Sequence, residues 1–146
     1  AVDAWKKLPE HRKDLATLDE LMVLWSKAET ARLTNMRAAQ NRVKGTPGPE
    51  GATGKLAFAE NNKDIYAFVM QLLGAEGMLY GTYDIERSGN AMASQSPQQA
   101  FLRSRANSIE GGTSEVMRNI LGERVLGLPG DVRTDKNLPF NEVPKS

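Results

Sequence analysis

The sequence predicts an all-α protein, an antiparallel four-helix bundle. Three observations carry this. Apolar residues recur at steps of three and four through 14–44, with Leu18, Leu21, Trp25, Ala28, Met36, Ala39 and Val43 on one helical face. Segment 65–73, "IYAFVMQLL", is apolar nearly all round and closes a second helical pattern over 52–73. No stretch alternates with the period of two that marks a half-buried strand.

The first helix is expected to start at Asp14 and end near Lys44, with Arg32 and Asn35 interrupting its stripe. "GTPGPEG", 45–51, is dense in glycine and proline and reads as a loop. The second half of the second helix, 65–73, should be the most buried segment. The next stretch, 74–96, has no period and is rich in glycine and serine, so it is expected to be irregular and to need a neighbour to order it. Ser96-Pro97-Gln98-Gln99 restarts order. Serine at the cap, proline at the first helical position and glutamine two residues later form a capping box, opening a third helix to about Ile109.

"SIEGGTSEVMRN", 108–119, then breaks the pattern with Gly111 and Gly112. Thr113 can cap a fourth helix, and Glu115 in its first turn suits the helix dipole. Val116, Met117, Ile120, Leu121 and Leu126 give that helix an apolar face, and Gly127 and Pro129 stop it. The organisation expected is a helical domain over 1–129 and an extended polar tail over 130–146. Trp25, Tyr66, Phe68, Val69, Leu72, Ile120 and Leu121 are the candidate core.

Composition excludes several function classes. The 146 residues carry 19 Lys plus Arg against 18 Asp plus Glu, a net charge of +1, so no electrostatic case exists for nucleic acid or an anionic membrane surface. Cysteine is absent, so there is neither a disulfide framework nor a thiolate metal site, which fits a cytoplasmic location. The longest apolar run falls below the roughly 18 residues of a membrane span, and no signal peptide is visible. His11 is the one histidine and reads as a surface residue, so no metal site and no Ser-His-Asp set is expected. The chain starts at Ala1 rather than Met, as expected of a processed start or a piece of a longer chain.

The glycine break has two readings from its residues alone. It is either a corner between two helices or a place where a ligand approaches backbone closely beside free N–H groups. The end of the second helix, Gln71-Leu72-Leu73-Gly74-Ala75, is likewise either a glycine cap or a backbone loop against a cofactor.

Segment 105–129, "RANSIEGGTSEVMRNILGERVLGLP", resembles the C-terminal signature of the acyl-CoA dehydrogenase family, and most of all its actinobacterial branch. "GTPGPEGATGKLAFAE" and "QLLGAEGM" stand in the order that branch has, so the resemblance covers nearly the whole chain. It implies the last of three family domains, a four-helix domain, in a protein that removes hydrogens from Cα and Cβ of an acyl-CoA thioester. A carboxylate takes the α-proton and FAD takes the β-hydride.

By the same resemblance, Thr113, Ser114 and Glu115 match the stretch that touches FAD. Gln71, Leu72, Leu73, Gly74 and Ala75 match the stretch that reaches a neighbouring subunit's FAD. Gly112 matches a substrate-side glycine. The family's catalytic glutamate falls on Gly111, with Glu110 one place earlier. No catalytic residue is therefore assigned here; Glu110 is the runner-up, and the base is expected upstream of Ala1 or on a partner subunit. The Arg-x-x-Phe-Gly motif of the family is missing, and Arg12 is a loose candidate for its phosphate-binding arginine.

The resemblance also implies FAD in the full-length parent and none in the isolated chain, acyl-CoA as substrate, and sister subunits in a homo- or hetero-oligomer. Straight-chain, branched and steroid side-chain CoA esters all fit. The alternative is a non-catalytic helical partner subunit of a heteromeric dehydrogenase.

Overall fold

The computed structural model describes residues 1–45, 48–79, 96–130 and 138–143. Helix α1 spans Val2–Lys6, α2 Leu15–Val43, α3 Glu50–Leu73, α4 Pro97–Ser104 and α5 Ser114–Ile120, with no strand among the described residues. The all-α expectation holds.

Local chemistry sets the helix ends. Asp14 Oδ1 accepts from the Thr17 N–H at 2.7 Å and caps α2. Gly45, at φ +73°, comes directly after the last turn of α2. At α4 the expected capping box is complete: the Gln99 N–H donates to Ser96 Oγ, and the Ser96 N–H donates to the Gln99 side chain. The third helix tightens earlier than expected, into a 3-10 turn over Arg105–Ser108. The Ser104 and Ser108 hydroxyls each donate to the carbonyl three residues back, Phe101 and Arg105, favouring the narrower winding. Beyond α5 the chain widens into a π turn, Leu121–Val125, and Gly127 at φ +67° ends it.

Helix α3 is the hub, with α1, α2, α4 and α5 all packed on it. The α2–α3 pair is antiparallel. Asn41 donates to Glu50 at one end, Lys27 pairs with Asp64 at 2.9 Å further along, and Leu21 and Leu24 meet Phe68 and Leu72 at the other end. Phe68, 1% exposed, anchors this cluster, and Val69 and Leu72 are buried as expected. Tyr66, Ile120 and Leu121 are half-buried.

The expectation for Trp25 is corrected: it is 53% exposed, as Met36 is at 48% and Val43 at 90%. The buried line of α2 runs through Leu21 and Leu24, and one residue turns a helical side chain by about 100°. The stripe legible in the sequence therefore splits: Leu21 faces α3, while Trp25, Met36 and Val43 lie outside. Val116 and Leu126 are exposed too, because α5 proper stops at Ile120 and the π turn redirects the chain beyond it.

The N-terminus holds more structure than its polar character suggests. Ala1, Ala4, Trp5 and Leu8 have helical spacing and pack against the Leu21–Leu24–Phe68–Leu72 cluster. The Trp5 indole N–H is buried without a hydrogen-bond partner among the described residues. Segment 74–96 begins with a 3-10 turn, Gly74–Met78. The expectation of irregular structure falls mainly on 80–95, outside the described residues. Of the tail, residues 138–143 are described and include a 3-10 turn over Phe140–Glu142.

Candidate functional site

The glycine break takes its shape from two consecutive left-handed residues. Gly111 has φ +65° and Gly112 φ +97°, conformations that cost little only without a Cβ. Thr113 then caps α5, its hydroxyl oxygen accepting from the Val116 N–H at 3.2 Å. The Lys55 ammonium on α3 donates to the Gly112 carbonyl oxygen and ties the break to the hub.

The side chains after the break go different ways. Ser114 is 2% exposed and donates to Glu60 Oε1 on α3 at 2.7 Å. Glu60 also pairs with Lys63 at 2.9 Å. Glu115 points to solvent beside Arg118, 3.4 Å away. Of the three residues 113–115, Glu115 keeps an outward-facing side chain, while the Thr113 and Ser114 hydroxyls are used within the fold, one as the α5 cap and the other on Glu60.

The Ser114 hydroxyl, and after it Lys63, holds the Glu60 carboxyl below the usual carboxylate range. A depressed native pKa stabilises the fold above the ordinary value, 4.5 for this group, and that stabilisation is lost as pH falls through the native pKa. Glu60→Gln is therefore expected to lower the melting temperature at neutral pH, with the difference shrinking as pH falls below 4.5. A pH-independent difference in thermal melts would contradict this assignment.

Glu110 sits just before the break in a polar chain. The Asn62 amide donates to Asn107 Oδ1 at 2.6 Å, the Asn107 amide donates to Glu110 Oε1 at 2.6 Å, and Arg103 donates to Glu110 Oε2 at 2.7 Å. The Arg103 and Asn107 hydrogen bonds hold the Glu110 carboxyl below its ordinary range. Both oxygens are engaged and basicity is reduced, which is the opposite of what a proton-abstracting carboxylate requires.

The second group of sequence-selected residues lies at the far end of α3. Leu72 is buried in the core, and its carbonyl accepts from Arg12 Nη2 at 2.8 Å. Gly74, at φ +58°, turns the chain out of the helix, and Gln71, Gly74 and Ala75 are exposed while Leu73 is half-buried. Lys7, Arg12, Tyr66, Leu73, Gly74 and Ala75 are among the residues lining an open cleft of about 990 Å³. Glu60 and Leu72 are separated along α3 by about 18 Å at 1.5 Å per residue. Within one chain, then, the two groups form separate places rather than one pocket.

Sequence reading missed Lys55, Glu60, Asn62 and Asn107. Lys55 and Asn62 stand seven residues apart on the α3 face that carries fully buried Ala59, a signal of polar groups meeting another element. Among the described residues, no three His, Asp or Glu side chains converge as a metal site would require, and no helix is long and apolar enough to cross a membrane.

A helical domain hung on one central helix, with a glycine-glycine break opening its last helix, defines the class. Residues 13–126 match the family model for the acyl-CoA dehydrogenase C-terminal domain, and the chain belongs to that family. It is 32% identical over 87 residues to acyl-CoA dehydrogenase IpdE1 of Mycolicibacterium smegmatis, covering 60% of this chain and 20% of that protein. It is 26% identical over 115 residues to acyl-CoA dehydrogenase IpdE1 of Mycobacterium tuberculosis, covering 79% of this chain and 27% of that protein. The chain thus spans about a fifth to a quarter of the length of the curated relatives it matches. No solved structure matches it.

Proposed function

We propose that this chain is the C-terminal domain of an FAD-dependent dehydrogenase that oxidises the Cα–Cβ bond of an acyl-CoA thioester. The observation that carries the reading is the family match over 13–126, which includes the Gly111–Gly112 break, Thr113 and the Leu72–Gly74 turn. Residues 1–129 form the helical domain and 130–146 its tail.

When bound, the flavin supplies the hydride acceptor. This chain's residues bind and orient. By the family resemblance, Thr113 and Glu115 would contact the flavin, and Gly112, with no side chain, would leave room for the thioester. The cleft lined by Leu72–Ala75 would take the charged, phosphate-bearing part of a neighbouring subunit's flavin: Lys7 and Arg12, beside the carboxylates Asp3 and Glu76, would supply cations, and left-handed Gly74 would allow close backbone approach. The proton acceptor lies outside this chain, since Gly111 has no side chain and Glu110 is held by Arg103 and Asn107.

The engaged Glu110 equally favours a second reading, a non-catalytic helical subunit in a heteromeric dehydrogenase. Purifying the polypeptide encoded by the intact gene separates the two. Bound flavin absorbance and acyl-CoA-dependent dye reduction are expected for the enzyme; activity only after mixing with a second subunit identifies the partner. The isolated 146-residue chain is expected to retain no FAD and reduce no dye. Turnover by that chain alone would overturn the assignment of the base elsewhere.

A further inference from the structure

Three side chains of α3 hold the chain around the glycine break, and their ties differ in kind. Before the break, Asn62 donates to Asn107, whose amide donates to Glu110. After it, Glu60 accepts from Ser114. Both of these ties end on side chains. Lys55 is the one of the three that reaches the glycine backbone. Its ammonium donates to the Gly112 carbonyl oxygen, and a Cβ added at Gly111 would stand 4.0 Å from its Cε. The stem of Lys55 therefore runs beneath one glycine and its charge ends on the other.

Lys55 is half-buried, and none of the ion pairs among the described residues includes it. A lysine drawn in from water loses hydration and rotamer freedom and is ordinarily paired with a carboxylate. Here a peptide carbonyl takes that place. Glu110 does not compete for the ammonium, because Arg103 and Asn107 hold its two oxygens. Glycine populates left- and right-handed backbone about equally. Two glycines in a row, at φ +65° and +97°, leave the peptide plane between Gly112 and Thr113 with little local preference. A charge-assisted hydrogen bond to the oxygen of that plane supplies one.

We infer that Lys55 is a positioning residue, which fixes the direction of the Gly112–Thr113 peptide plane and through it the Thr113 cap and the open space at Gly112. Its effect on turnover rests on the dehydrogenase reading, under which that plane lies beside the flavin and the thioester. Rotating the plane moves the Gly112 backbone and the Thr113 side chain together, and a misplacement of about 1 Å at a reacting centre can cost about a hundredfold in rate.

Lys55→Met keeps the stem and removes the donor. In the 146-residue chain, the amides that depend on the cap are those of Val116, on Thr113 Oγ1, and Met117, on the Thr113 carbonyl. They are expected to exchange hydrogen about tenfold faster in Lys55→Met, while the amides of α2 keep their wild-type rates and show that the fold is retained. Lys27→Met, which removes an ammonium paired with Asp64 at 2.9 Å, should leave the cap amides as they are. In the intact protein, Lys55→Met should lower kcat about tenfold or more with KM changed less than about threefold. Lys55→Arg keeps a cationic donor and should recover most of that loss, and Lys27→Met should turn over as wild type. Cap amides that exchange at the wild-type rate in Lys55→Met, equal kcat for Lys55→Met and Lys27→Met, or Lys55→Arg no better than Lys55→Met would each overturn the inference. An intact protein without turnover defeats the dehydrogenase reading instead, and the exchange rates then decide by themselves whether Lys55 fixes the break.

Discussion

Phe68→Ala is expected to be the most damaging single truncation in the chain, costing about 3–5 kcal/mol. Phe68 is 1% exposed and sits where Leu21 and Leu24 of α2 meet Leu72, with Trp5 and Leu8 closing the cluster from the N-terminal segment. Removing the ring forfeits its transfer energy and leaves a hole that three separate elements would have to close. Total stability of a domain is on the order of 5–15 kcal/mol, so a large share of it rests on this one side chain. Urea unfolding checks it: the midpoint should fall by on the order of 2 M with the slope unchanged. Phe68→Leu should lose much less, because most of the volume stays. A midpoint shift for Phe68→Ala no larger than for an exposed site such as Leu15→Ala would mean that the core lies elsewhere.

Gly112→Val is expected to be the most damaging change at the glycine break. At φ +97° a β-branched residue is strained whatever space surrounds it. The added Cβ would also stand 2.6 Å from the Met117 methyl carbon. Met117 is flexible and can move, so the backbone conformation decides the outcome. Forcing a side chain there costs on the order of 1–3 kcal/mol, or several degrees of melting temperature. The more consequential effect is geometric. If the backbone relaxes, the Gly112 carbonyl leaves Lys55 and the Thr113 cap loses its alignment with α5. On the function proposed above, flavin-dependent turnover of the intact protein should then fall further than stability does. Gly51→Ala is the matched control: it lies in the first turn of α3 with nothing within 4 Å of the added carbon, and it should be neutral or stabilising. Equal losses at the two glycines would remove the special role of the break.

Helix boundaries were legible in the sequence wherever a cap is a local event. Asp14 with Thr17, Ser96 with Gln99, and Thr113 with Val116 are each contacts across three residues, and the glycines that end elements need only their own backbone freedom. The same holds for the all-α class, which comes from apolar spacing along single helices. The family resemblance was legible in 105–129 because the Gly-Gly-Thr break is itself a local chain feature.

Tertiary structure decided which side of each helix is inside. α2 offers two apolar lines about one residue apart in rotation, Leu21–Leu24 and Met22–Trp25, and nothing within α2 ranks them. Packing against α3 selects the first and leaves the second on the surface. The partners of the break were equally out of reach. Lys55 and Gly112 are 57 residues apart and Glu60 and Ser114 are 54 apart, so their pairing exists only once α5 has docked on α3. Glu110 makes the same point for function. The family resemblance sets it one place before the position of a catalytic carboxylate, whereas Arg103 and Asn107, one turn or two away and brought round by the 3-10 turn, hold both its oxygens. Periodicity and capping are properties of a few adjacent residues; burial and the protonation state of a side chain are properties of whatever the fold sets against it.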